Sequence, residues 1–141
     1  MSRKVIVQIL LVEDNPADVR LLEEAFKESR IESRLSVVPD GVEALAFLRR
    51  EGRYSAAPQP DLVVLDLNMP RKDGRQVLTE MKADPQLRII PVMILSSSSL
   101  QEDQRMAATL GAVRYIIKPQ DFSQFLQVVR VIEDIVLRIK N

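Results

Sequence analysis

The chain has no cysteine and no histidine among its 141 residues. The first absence excludes disulfides and thiolate chemistry and fits a reducing compartment. The second excludes a histidine base, a histidine metal ligand and a phosphohistidine on this chain. No charge of one sign is in excess: Lys and Arg total 20, Asp and Glu total 20. Net charge therefore gives no reason to expect nucleic acid or a membrane surface as partner. No apolar run approaches the roughly 20 residues of a transmembrane helix, and the N-terminus lacks a signal-peptide core. A cytoplasmic protein is expected. Hydrophobic residues make up 46% of the chain, which suits one globular domain with its own core.

What is present centres on residues 61–74, DLVVLDLNMPRKDG. Leu62, Val63, Val64 and Leu65 form a continuous apolar run. A strand wet on one face would alternate, so this one is expected to be covered on both faces, as in a parallel sheet. Asp66 follows where a charge can reach water. Pro70 and Gly74 then break the backbone into a loop whose carbonyls are available to a ligand.

In chain order, residues 5–12 (VIVQILLV) read as a first buried strand ending in Glu13-Asp14. Asn15 suits a helix N-cap and Pro16 a first helical turn, with the helix running to about residue 29. Residues 34–38 form a second strand. Asp40 caps a helix over residues 41–51, and a polar loop covers 52–60. After the central strand come a helix over 75–83, a strand over 90–95, a helix over 101–110, a strand over 113–117 and a last helix over 121–139. Five strand–helix repeats imply right-handed crossovers and a doubly wound α/β fold, with a five-stranded parallel sheet between five helices. Of the common strand orders, five strands suit 2-1-3-4-5. That order reverses between strands one and three, and ligands bind beyond the carboxyl ends of strands at such a reversal. Glu13, Asp14 and Asp66 are expected to meet there.

Three carboxylates in one crevice repel, each pair by roughly 4 kcal/mol at 4 Å and an effective dielectric of 20. A cation resolves this. All-oxygen ligands select a hard ion, Mg²⁺ or Mn²⁺ over Zn²⁺, and the Asn68 backbone carbonyl offers a further oxygen. Ser96 and Lys118 end strands four and five, beside Asp66. A hydroxyl, an ammonium and a metal around a carboxylate are what a phosphoryl group needs, and an aspartate can serve as its nucleophile. Singly each feature is ambiguous. Asp66 can simply end a strand, Glu13-Asp14 can be a strand end plus cap, Ser96–Ser99 a capping turn, and Lys118-Pro119 a loop. Their order along the chain carries the weight.

The segments LLVEDNPAD (residues 10–18), LVVLDLNMPRKDG (62–74), PVMILSS (91–97) and YIIKP (115–119) resemble the receiver domains of two-component response regulators. The resemblance spans nearly the whole chain. It implies a flavodoxin-like fold, with residues 1–141 as a single receiver domain that carries no output domain. It implies that Asp66 is the phospho-acceptor and that Asp14, Asp66 and the Asn68 carbonyl ligate Mg²⁺, with Glu13 acting through water. It assigns Lys118 to the phosphoryl group and Ser96 to the hydroxyl that moves toward it. Tyr115 matches the switch aromatic, and Pro119 a proline commonly preceded by a cis bond. A histidine kinase is the implied partner. NPAD and LNMPRKDG, with the long loop before strand three, resemble more loosely the single-domain regulators paired with phytochrome-type histidine kinases. Such a protein catalyses its own phosphorylation and slow dephosphorylation and is a switch, not a turnover enzyme.

The last helix adds an expectation of its own. Phe122, Phe125, Leu126, Val129, Ile132 and Val136 form one apolar stripe, and Val128, Val131, Ile135 and Ile139 a second, for an arc of roughly 220°. The second stripe is expected to mediate a homodimer; a helix sunk deeper in the core is the plainer reading. Rival functions are disfavoured residue by residue. A flavin binder needs a neutral phosphate loop where Glu13-Asp14 stands. An aspartyl phosphatase of the haloacid-dehalogenase type wants an acid where Asn68 stands. A pseudo-receiver that signals without phosphorylation has no need of the complete acid, hydroxyl and lysine set.

Overall fold

Leu62–Leu65 is buried on both faces, as its unbroken apolar run requires. The computed structural model describes residues 6–140, and within them this strand, β3, is the middle of a five-stranded sheet. The other strands are β1 (Val7–Val12), β2 (Ser33–Val38), β4 (Val92–Ser96) and β5 (Arg114–Ile117), in the order β2-β1-β3-β4-β5. Every pairing is parallel. This is the flavodoxin-like arrangement expected. Val5, where the first strand was expected to begin, lies outside the described residues.

Alternation along the strands sorts the core into two layers. Leu10, Val12, Val63, Leu65 and Ile94 pack against α2 (Gly41–Leu48), α3 (Gly74–Ala83) and α4 (Gln101–Thr109). Ile9, Leu11, Leu62, Val64 and Met93 pack against α1 (Pro16–Phe26) and α5 (Phe122–Lys140). Fully burying one such aliphatic side chain contributes about 1.5–3 kcal/mol, so each layer is a large share of the stability.

Local chemistry starts the helices on schedule. The Asn15 side chain accepts from the amides of Ala17 and Asp18, and Asp40 from that of Glu43. Asp73 and Gln76 form a reciprocal capping box at α3. Helix ends differ more from expectation. α1 stops at Phe26 because the amides of Lys27, Glu28 and Ser29 bond only three residues back, tightening the last turn. The Ser29 hydroxyl and the Arg30 amide then bond to the carboxylate of Glu133 on α5, at 2.8 and 2.7 Å. α2 stops at Leu48, with Arg50 turning the chain in a left-handed conformation, φ 55°. The loop before β3 holds a 3-10 turn, Gly52–Tyr54.

The last helix is sunk further than two separate stripes imply. Val128 of the second stripe is buried in the core, and Glu133 is buried beside the end of α1. Val131 and Ile135 are half-buried and Ile139 is exposed, so only part of that stripe faces outward. No helix among the described residues is long and apolar enough to cross a membrane.

Candidate functional site

The site assembles at the carboxyl end of the sheet because register carries it there. Val12 lies beside Leu65, and the Asp66 amide donates to the Val12 carbonyl at 3.1 Å. Glu13 and Asp66, each one residue further, therefore emerge side by side at the reversal between β1 and β3. Both are buried, at 3% exposure, whereas Asp14 reaches solvent. Glu13, Asp14 and Asp66 each present an oxygen, all within 4.8 Å of one another. Across an octahedral Mg²⁺ opposite ligand oxygens stand about 4 Å apart, so small side-chain adjustments bring this set onto one ion. With oxygen donors only, the cluster fits a hard divalent cation.

The ends of β4 and β5 complete the crevice. Ser96 is buried, and its Oγ accepts from the Ser98 amide at 3.3 Å. Its carbonyl accepts from the Lys118 amide at 2.8 Å, which fixes the lysine backbone against β4. Lys118 Nζ then reaches Glu13 Oε1 at 2.8 Å, Asp18 Oδ2 at 2.9 Å and Asp66 Oδ2 at 3.0 Å. Burial opposes the lysine's charge, but the three carboxylates outweigh it and hold the ammonium well above the usual lysine range. Burial pushes Glu13 up to about 7; Asp66 adds to this, while Lys118 and the Asn15 amide oppose it. Four carboxylates to one ammonium make the crevice strongly attractive to a cation.

The loop after Asp66 is held from two sides. The Asn68 amide donates to Asp66 Oδ1 at 3.2 Å, placing Asn68 at the rim. A Cβ on Gly74 would stand 2.0 Å from the Asp66 carbonyl oxygen, so the start of α3 packs directly on the end of β3. Arg75, next along, forks onto Asp103 of α4 with two bonds of 2.8 and 2.7 Å. It also reaches the Leu67 carbonyl and the Asn68 side chain, each at 3.4 Å. Asp103 is buried and takes the Ser98 hydroxyl as well; Arg75 and Ser98 together hold its carboxyl below the usual range. The Tyr115 hydroxyl donates to the Ser98 carbonyl at 2.8 Å. One hydrogen-bonded chain thus runs from the loop beyond Asp66 through α3 and α4 to Tyr115.

The site residues expected from the sequence, Glu13, Asp14, Asp66, Asn68, Ser96, Tyr115 and Lys118, all lie in this region. One implied detail is corrected: no described peptide bond is cis, Lys118-Pro119 included. Trans is the intrinsically favoured form, by about 0.5–1 kcal/mol for X-Pro. Sequence reasoning missed Asp18, Arg75 and Asp103. Asp18 read as an ordinary first-turn acid, and nothing in the spacing pairs residues 75 and 103.

Comparison with known proteins agrees with this fold. The response regulator receiver domain family matches residues 9–130. Response regulator Rcp1 of Synechocystis sp. is 42% identical over 125 residues, covering 89% of this chain and 85% of that protein. The phosphorylated cyanobacterial phytochrome response regulator RcpA superposes with a TM-score of 0.88 at 47% identity, covering 94% of this chain and 95% of that one. The Mn²⁺-bound form of Rcp1 superposes with a TM-score of 0.84 at 42% identity, covering 90% and 91%. The chain belongs to the receiver domains of response regulators.

Proposed function

We propose that this receiver domain is a phosphoryl-accepting switch whose acceptor is Asp66. The observation that carries this is the Lys118 ammonium 3.0 Å from Asp66 Oδ2, beside an oxygen-only acid cluster at the sheet reversal. An Asp66 oxygen attacks the phosphorus of a phosphohistidine on a kinase. The O–P bond forms as the N–P bond breaks, and the released imidazole takes a proton from solvent. Asp14, Asp66 and the Asn68 carbonyl, with Glu13 through water, would hold Mg²⁺, which neutralises charge on the phosphoryl oxygens. Binding of Mn²⁺ by the relative Rcp1 supports a divalent ion here. Lys118 takes one phosphoryl oxygen and the Ser96 hydroxyl another. Tyr115 is the switch that reads the change, because its hydroxyl holds Ser98, two residues past Ser96.

The kinase is of the phytochrome type, a reading supported by RcpA, a phytochrome response regulator. Output is by protein contact or phosphoryl relay in the cytoplasm, with no catalytic turnover beyond its own phosphorylation and dephosphorylation. A homodimer through α5 and its neighbouring elements is supported by the outer edge of the second stripe, where Ile139 is exposed beside half-buried Val131 and Ile135. Sedimentation with and without a phosphoryl mimic tests it, and a monomer at high concentration in both states would refute it.

The deciding experiment is intact mass after incubation with Mg²⁺ and acetyl phosphate, for the native chain and Asp66→Asn. One adduct that needs Mg²⁺ and vanishes in the variant is expected. No adduct, with Mg²⁺ still raising the melting temperature, would leave a metal-binding pseudo-receiver that signals without phosphorylation.

A further inference from the structure

Asp18 stands at the third position of α1, after the cap Asn15 and Pro16. An acidic residue there ordinarily folds back onto the amide of the cap residue. Here that amide is already taken: Asn15 N–H donates to Glu13 Oε2 at 3.1 Å. Asn15 in turn caps the amides of Ala17 and Asp18 with its own side chain. The start of α1 is therefore satisfied without the Asp18 carboxylate, which crosses the crevice instead and meets Lys118 Nζ at 2.9 Å.

The three carboxylates on that ammonium differ in what else they are needed for. Glu13 and Asp66 belong to the oxygen cluster suited to a cation, and Asp66 is the proposed acceptor. Asp18 belongs to neither. Lysine is a point charge on a flexible four-carbon stem, so its ammonium needs an anchor to stay aimed. The Lys118 backbone is fixed by its bond to Ser96, but that leaves the side-chain torsions free. Once a metal engages Glu13 and a phosphoryl group covers Asp66, Asp18 is the lysine's remaining protein carboxylate.

We propose that Asp18 is a positioning residue for phosphoryl transfer: it holds the Lys118 ammonium over Asp66 while Glu13 and Asp66 are engaged by metal and phosphoryl group. The inference rests on Asp66 being the acceptor. Asp18 touches neither the metal cluster nor the reacting oxygen. Its removal therefore lowers the rate of transfer and takes from the cation site only the field of one neighbouring charge, not a ligand.

The test compares the native chain with Asp18→Ala, Asp18→Asn and Asp18→Glu. It measures the rate of adduct formation from acetyl phosphate, the affinity for beryllofluoride as a phosphoryl mimic, the affinity for Mg²⁺ by titration, and the melting temperature. Loss of alignment slows Asp18→Ala about tenfold and weakens beryllofluoride binding in step. Asp18→Asn, which keeps an oxygen acceptor, and Asp18→Glu, which keeps the charge, recover part of the rate. Mg²⁺ affinity falls by no more than about threefold, well short of the 10–100-fold loss that disturbing a metal's supporting shell brings. Native rates in Asp18→Ala would overturn the inference. So would faster phosphorylation, which would make Asp18 a repelling charge at the rim. A parallel loss of Mg²⁺ affinity would also overturn it, by placing Asp18 in the metal shell. A melting temperature that drops while rate and mimic binding hold would reduce Asp18 to a helix-stabilising acid and overturn it too. A native chain that forms no adduct at all would instead sink the acceptor reading, and this inference with it.

Discussion

Gly74→Ala measures how tightly the end of β3, which carries Asp66, is coupled to α3. A methyl group at residue 74 would lie 2.0 Å from the Asp66 carbonyl oxygen, 2.8 Å from Leu67 Cα and 2.9 Å from the Asp66 carbonyl carbon. All three are backbone atoms, so no side chain can rotate away. Either α3 retreats or the end of β3 shifts, and the 3.0 Å bond from the Gly74 amide to the Leu67 carbonyl is stretched. Overpacking of this kind costs about 1–3 kcal/mol, and a clash between two backbones belongs at the upper end. For a domain of this size each kcal/mol lowers the melting temperature by about 3–4 °C, giving a fall of about 10 °C. Gly111→Ala is the control. Its φ of +81° strains an alanine, but nothing lies within 4 Å of the added carbon. That change should cost about 1 kcal/mol and about 4 °C. Calorimetric melts of both variants, with and without Mg²⁺, are the assay. Gly74→Ala alone should also lose much of the Mg²⁺-induced rise, since Asp66 moves with its carbonyl. A Gly74→Ala melt no lower than that of Gly111→Ala would refute the close packing of α3 on the end of β3.

Two further predictions follow from buried charge. Burial of Glu133 disfavours its ionised form, but the Arg30 amide, the Ser29 hydroxyl and Arg130 prevail and lower its pKa below 4.5. A lowered folded pKa contributes stability above the unfolded value that is lost as pH falls through the folded one. Urea unfolding across pH should therefore show Glu133→Gln less stable than the native chain by about 1.5–3 kcal/mol at pH 7, with the gap closing as the pH falls below the ordinary carboxylate range; a gap independent of pH would disprove the linkage. The Arg75–Asp103 pair should be asymmetric, because the arginine side chain is 34% exposed and the aspartate 6%. Arg75→Met strands a buried carboxylate and should cost about 3 kcal/mol, whereas Asp103→Asn leaves a guanidinium that water can serve and should cost about 1 kcal/mol. Equal losses in urea titrations would contradict that assignment.

Element types and the positions of the candidate site residues were legible because each leaves a local mark, and five strands sufficed to choose the strand order. β3 lies under helices on both faces, so its residues cannot alternate with polar ones, and its run of Leu and Val announces the burial. Asn15, Asp40 and Asp73 mark helix starts because a short oxygen-bearing side chain satisfies amides only a few residues away. Acidic, hydroxyl and lysine residues at four strand ends could be assembled once the reversal between β1 and β3 was inferred. Helix ends were less legible: α1 ends where Glu133, more than 100 residues later, takes over the amide of Arg30.

The sequence by itself determined that a parallel sheet forms and that Glu13, Asp14, Asp66, Ser96 and Lys118 reach one end of it. Hydrophobic burial and strand direction act on patterns contained within each segment, so those patterns suffice. Tertiary structure alone decided that Asp18 reaches Lys118, that Arg75 clasps Asp103, that Val128 joins the core and that a glycine must stand at Gly74. Each depends on the distance between elements far apart in the chain. A hydrogen bond or a steric clash is settled within a fraction of an ångström, a precision that only the packed helices and sheet supply.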